Sequence, residues 1–366
     1  MSQSNPKFWS LQTWCNGFYG IYHSNDNERT LSNFWLQVSN DATKVAEAVR
    51  RQKHELAMYN LGNAFCWMCC FVERLKEDIS QFPNKQKILK TRGDSFQNWI
   101  LYRYPFSCHH CGYNLCHCSL YSEMMEDRKD AQAQEFKKFK GGIEQRIKKE
   151  RKKLFNPYPK NNYSLDKLFE EFNKIYGNKV FSTNLEDLTF HYLEEVGEVG
   201  HAITLLETLI GHNTADELEE KIKKDPRITL KKVYSEKDWK EGFRQAKKSK
   251  EGKICDALKV LEKEPKLKQN AVESICYMIM DEIADVFSWT TAIVNKIALL
   301  EKKYSIIEVF SGADWIPKEK QGRAYLHGTG SAKDFRCPYC INPECKTWCP
   351  LSNILTSVSK SRIEGN

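Results

Sequence analysis

Apolar side chains along this chain recur at helical spacing. Leu185, Leu188, Tyr192, Val196, Val199 and Ile203 form one stripe. Ile275, Ile279, Ile283, Val286, Ile293 and Ile297 form another. Steps of three and four residues place such positions on one face of an α-helix, the face that must be buried. Glycine and proline are sparse inside these segments, and the alternation of a half-buried strand is not evident. The pattern predicts an all-α protein.

The pattern also occurs twice. At an offset of 154 residues Ser10 and Leu11 match Ser164 and Leu165, while Phe18, Ile21 and Tyr22 match Phe172, Ile175 and Tyr176. The same offset pairs Leu31 with Leu185 and Ala48 with Ala202. At an offset of 222, Met58, Phe65 and Trp67 match Met280, Phe287 and Trp289. Cys108, Cys111 and Cys116 then match Cys337, Cys340 and Cys345 at an offset of 229. Three collinear blocks with small drifts are the trace of a duplicated domain, and the two larger offsets imply one insertion in the second copy. The expected organisation is a first helical domain over 1–107, a Cys-rich module over 108–120 and a basic helical linker over 121–160. A second helical domain follows over 161–303, with the insertion at about 207–271, and a Cys-rich module over 304–366.

Composition adds limits. The chain has 366 residues, 41% of them hydrophobic and 12% aromatic, which suits globular domains with their own cores. The start, Met1 to Ser10, lacks a charged segment followed by an apolar one, and apolar runs such as Val286 to Val294 are interrupted. Neither a secretion signal nor a membrane span is expected, and the expected location is the cytoplasm. The net charge of +8 suits anionic partners, nucleotides or nucleic acid.

The candidate chemistry lies on the two striped helices. Glu195 and Glu198 sit three residues apart and so share a helix face, as do Glu282 and Asp285. Such pairs are common on solvated faces, but these four fall beside or among the apolar positions, where unpaired charge is costly. Four carboxylates brought together would repel unless a hard cation joined them. Magnesium fits oxygen ligands and bridges to phosphates, so the constellation predicts a phosphate-anhydride or ester substrate. Trp289, one turn beyond Asp285, offers a stacking face for a base, or else is a core aromatic. Asn295 could hydrogen-bond a base or sugar, although its helical angle lies well away from Asp285.

The segments "EEVGE" and "DEIADV", with "SLDKLFEEFNKIYG" and "LEDLTFHYL" ahead of them, resemble the MazG-like all-α nucleoside triphosphate pyrophosphatases. The run "DVFSW" continuing to Asn295, and the Cys-rich tail, are similar to a bacterial subgroup of that family. The likeness covers roughly 163–206 and 271–303, and the long insertion departs from it. The resemblance implies hydrolysis of a (d)NTP to (d)NMP and pyrophosphate, with magnesium held by Glu195, Glu198, Glu282 and Asp285. It also implies assembly from paired helical units, either two copies of this chain or an internal pseudo-dimer.

The first copy carries Asp41, Lys44, Asn60 and Asn63 at the four matching positions, a set that cannot rebuild a magnesium site. It is expected to be a degenerate copy retained for packing or regulation. Fourteen cysteines without a secretion signal point to metal before disulfides. Cys337, Cys340, Cys345 and Cys349 are spaced for a structural zinc ion, as are Cys108, Cys111, Cys116 and Cys118, where His109, His110 or His117 could substitute for the last ligand. Cys66, Cys69, Cys70, Cys255 and Cys276 read as buried apolar residues, and Cys15 has no assignment. Two other functions fit less of the sequence. One is a nucleotide sensor without turnover; the other is a nucleic-acid-binding protein using the zinc modules and the basic run Phe136 to Lys153.

Overall fold

A computed structural model of the protein describes residues 9–22, 29–118, 132–155, 162–210, 265–301 and 306. Among these residues the chain forms helices and no strand, as the apolar stripes predict. They are α1 (Leu11–Tyr22), α2 (Leu31–Arg50), α3 (His54–Ser80), α4 (Lys85–Arg92) and α5 (Phe96–Arg103). After these come α6 (Gln132–Leu154), α7 (Leu165–Ser182), α8 (Leu185–Leu209) and α9 (Pro265–Glu301). The basic run Phe136 to Lys153 lies within α6. Most of the expected insertion, and Cys255, Cys337, Cys340, Cys345 and Cys349, lie outside the described residues.

Local chemistry fixes several helix starts. Ser164 accepts a hydrogen bond from the Lys167 amide at the start of α7. Asn184 does the same for Asp187 at the start of α8, where Glu186 and Asp187 complement the helix dipole. Thr30, before α2, makes no such bond. There the buried Glu207 of α8 accepts from the Ser32 amide at 2.9 Å and from the Ser32 hydroxyl, capping α2 from another helix.

The matched segments pack in the same way. α1 and α2 lie on α3, while α7 and α8 lie on α9. The matched elements also meet each other. α2 packs on α8, and the indole N–H of Trp35 donates to the Val196 carbonyl at 2.8 Å. Ser10 forms an isolated antiparallel bridge with its own counterpart, Ser164. Phe65 lies 6.3 Å, ring to ring, from its counterpart Phe287. Helix α5 crosses over: it belongs to the first matched segment but packs on α9 of the second.

One hydrophobic core runs through both halves. At its centre Phe287, fully buried, has the rings of Phe96, Phe169 and Phe172 at 5.7, 5.7 and 5.6 Å. These separations are those of favourable tilted and edge-on aromatic pairs. Against the sequence expectation, the stretch Lys268–Glu301 is long and apolar enough to cross a membrane by length and composition. Its most apolar window is 61% buried inside the protein, so the core accounts for its hydropathy.

Replacing Phe287 with alanine would leave a void lined by four aromatic rings. The expected loss is ~3–5 kcal/mol, read as a lower urea midpoint at unchanged slope. A loss below ~1 kcal/mol would show that Phe287 is not central to the core.

Candidate functional site

The closely packed helices α8 and α9 bring the expected acidic residues to one seam. Carboxylate oxygens of Glu195, Glu282 and Asp285 lie within 4.8 Å of one another, a grouping that could hold a metal ion. Glu198 is not in that trio but lines the same cavity, which has a volume of about 260 Å³. Trp289 and Asn295 line it as well. Trp289 is half-buried, with its ring stacked on His191 at 4.8 Å and the Lys179 ammonium 5.7 Å from its centroid.

Three acidic groups this close raise one another's proton affinity. Burial, then the charges of Asp285 and Glu195, push Glu282 up to about 8. Burial and Asp285 push Glu195 in the same direction. Both shifts express the same cost, negative charge crowded away from water, which a cation among the oxygens would remove.

The sequence did not reveal what holds Asp285. Arg103, at the end of α5, donates to both of its oxygens at 3.0 and 2.8 Å. The hydroxyl of Tyr104 donates to Asp285 at 2.6 Å. This forked ion pair outweighs the burial of Arg103, which alone would lower its proton affinity, and the net effect raises it. One helical turn before Asp285, Asp281 pairs with Arg92 at 2.8 Å. Both arginines come from the first matched segment, so that segment supplies the cations facing the acidic helix of the second. No motif marked Arg103 or Tyr104, because only the crossing of α5 brings them to the site.

Among the described residues, the first matched segment gathers no such acidic trio. Asp41 is buried and ion-paired with Lys44 at 2.8 Å, and Asn60 and Asn63 are buried. Trp67, counterpart of Trp289, is only 3% exposed and stacks on Tyr22 at 4.6 Å. Where Trp289 borders an open cavity, Trp67 fills the corresponding space.

The sulfurs of Cys108, Cys111, Cys116 and Cys118 also lie within 4.8 Å of one another. Gly112, at φ +72°, makes the tight turn after Cys111, and its amide donates to the Cys108 carbonyl at 2.7 Å. The Cys116 amide donates to the Ile175 carbonyl of α7 at 2.8 Å, which ties this knuckle to the second segment. Hydrogen bonds with Cys108 and Cys118 pull the Cys116 thiol down, and those with Cys108 and Cys116 push Cys118 up. Four soft donors in one cluster could hold a metal ion. The four cysteines make up this cluster by themselves, while His109 and His110 turn to the carboxylate cavity instead of substituting for Cys118. Cys15, Cys66, Cys69, Cys70 and Cys276 are buried and, among the described residues, form no disulfide, matching the apolar reading of the last four. Two arginines of the basic helix α6 are engaged within the protein: Arg146 donates to the Cys111 carbonyl, and Arg151 to that of Tyr102.

Comparison with protein-family models, with curated proteins and with solved structures finds no match.

The raised carboxyls make a pH prediction for the metal-free protein. Between the ordinary glutamate pKa and about 8, folded Glu282 keeps a proton that the unfolded chain has released. Its contribution to stability is therefore full at low pH and lost as pH rises through that window. His109 and His110 are shifted down, chiefly by partial desolvation, so they act with opposite sign at lower pH. Comparison with Glu282→Gln isolates the carboxyl. Thermal melts should show the wild type losing stability relative to Glu282→Gln from about pH 4.5 to about pH 8, and added Mg²⁺ should restore it. Parallel pH profiles for the two proteins would contradict the crowding described here.

Proposed function

We propose that this chain is a magnesium-dependent nucleoside triphosphate pyrophosphohydrolase of the MazG-like kind, cleaving (d)NTP to (d)NMP and pyrophosphate. The observation that carries the reading is the convergence of Glu195, Glu282 and Asp285, with Glu198 lining the same cavity. These are the four positions on which the family resemblance rests. Oxygen-only donors suit a hard cation that keeps some of its water. Bound there, magnesium would supply neutralisation of the phosphates and a more acidic attacking water.

The protein's own groups divide the remaining work. Arg103 and Tyr104 hold both oxygens of Asp285 in one orientation, so the site is preorganised before substrate arrives. One of the four carboxylates would accept the proton released by the attacking water. Trp289 and Asn295 offer a stacking face and a hydrogen-bonding amide in the same cavity.

An internal pseudo-dimer explains why matched positions meet themselves. Ser10 with Ser164, Phe65 with Phe287, and α2 with α8 are the self-pairings that a two-fold axis produces. The chain would then hold one active centre and one that has lost its ligands. Zinc is the fitting ion for the cluster of Cys108, Cys111, Cys116 and Cys118, with the C-terminal cysteines forming a second such site.

The test is release of pyrophosphate from a panel of NTPs and dNTPs with Mg²⁺. Turnover should vanish with EDTA, and Glu282→Gln or Glu198→Gln should lower kcat by about a hundredfold, ~2.7 kcal/mol of barrier. Tight nucleotide binding without pyrophosphate release would favour a sensor over an enzyme. Full turnover by Glu282→Gln would place the chemistry elsewhere.

A further inference from the structure

The cysteine knuckle and the carboxylate cavity were expected to be separate features. The structure puts them side by side. Arg103, Tyr104, His109 and His110, all from the end of α5 and the knuckle that follows, line the cavity that holds the carboxylates. Tyr104 links the two: its hydroxyl donates to Asp285, and its ring meets the edge of His109 at 4.9 Å. The same ring lies 5.1 Å from Phe172 and 6.2 Å from Tyr176. The wall around His109 is therefore aromatic, whereas the metal-binding seam is acidic.

His109 has an unexplained feature. The side chain is half-buried, and its Nδ1 is itself buried with no hydrogen-bond partner. A buried polar nitrogen left unpaired costs ~1–3 kcal/mol, a cost that persists only if something else satisfies it or function requires it. A partner for Nδ1 would be expected if its role were only to pack.

Building on the pyrophosphohydrolase reading above, we propose that the cysteine knuckle of the inactive copy forms the nucleoside-binding wall of the active copy's pocket. His109 is the binding residue, hydrogen-bonding the edge of a planar heteroaromatic base. The aromatic surroundings favour a base over a phosphate, because they offer flat apolar faces, and the cations of the lining are engaged, Arg103 with Asp285 and Lys179 beside the ring of Trp289. A single imidazole then supplies the edge contact that an aromatic face such as Trp289 cannot make. His109 and His110 are the two residues between Cys108 and Cys111. Whatever ion fixes those two sulfurs also fixes the turn that presents His109. The cysteine centre thereby governs substrate affinity, not only fold.

The experiment uses the full chain and three variants: His109→Ala, His110→Ala and Cys111→Ser. Calorimetric titration measures binding of each of the four deoxynucleoside monophosphates and, separately, of inorganic pyrophosphate. His109→Ala should weaken the best-bound monophosphate about tenfold and leave pyrophosphate unchanged, the loss of one buried hydrogen bond. In turnover KM should rise by a similar factor with kcat nearly constant. Elemental analysis should show the cysteine-bound metal retained in His109→Ala and lost in Cys111→Ser, with the same loss of monophosphate affinity in both. His109→Ala keeps all four sulfurs, so it decides the matter even if Cys111→Ser does not fold. Unchanged monophosphate affinity in His109→Ala would overturn the proposal, as would equal weakening of pyrophosphate. A wild type that binds monophosphates but releases no pyrophosphate would sink the enzymatic reading and leave the wall intact.

Discussion

Carboxylates that share a dry seam repel one another, and a protein that gathers them must restrain both the repulsion and the geometry. Here α8 and α9 hold Glu195, Glu282 and Asp285 within 4.8 Å, and the proton affinity of Glu282 rises to about 8 as a result. The fork between Arg103 and Asp285 keeps this arrangement ordered. It sits at the end of α5, a helix that leaves its own half to pack on α9. Much else follows from that crossing. The knuckle after α5 is carried to α7, its Cys116 amide is bound by Ile175, and its histidines reach the acidic cavity.

The two halves differ in what stands at the matched positions. The second half retains the acidic face, whereas the first holds Asp41, Lys44, Asn60 and Asn63 and has Trp67 filling the matching space. The first half's contribution is structural and electrostatic: aromatic rings for a shared core around Phe287, and arginines for the other half's acidic helix. If the proposed pseudo-two-fold axis holds, this is the asymmetry expected when one of two equivalent sites is released from selection for chemistry.

The sequence carried the helices and the acidic face clearly, because both are periodic. Stripes such as Leu185 to Ile203 fix which side of α8 is buried, and Glu195 then falls at the margin of that side. The four-sulfur cluster was equally legible from its spacing. Arg103, Tyr104 and His109 were not, since their role depends on where α5 lands and no local pattern encodes that. His109 was noticed only as a spare ligand for the cysteines. Asn295 was placed poorly by its helical angle, yet it lines the cavity, because a cavity of about 260 Å³ spans more than one stripe of α9. The stretch Lys268–Glu301 of α9 also reaches membrane-like length and hydropathy, which its interrupted runs did not suggest, although most of its apolar window is buried in the protein.

The central claim is that one metal–carboxylate centre exists per chain, at the seam of α8 and α9. Anomalous diffraction from crystals of the full chain loaded with Mn²⁺ and a non-hydrolysable deoxynucleotide tests it most directly. The account predicts manganese peaks among Glu195, Glu198, Glu282 and Asp285, and none beside Asp41, Asn60 and Asn63. Manganese bound at the first half, or absent from the second while the nucleotide is present, would contradict it.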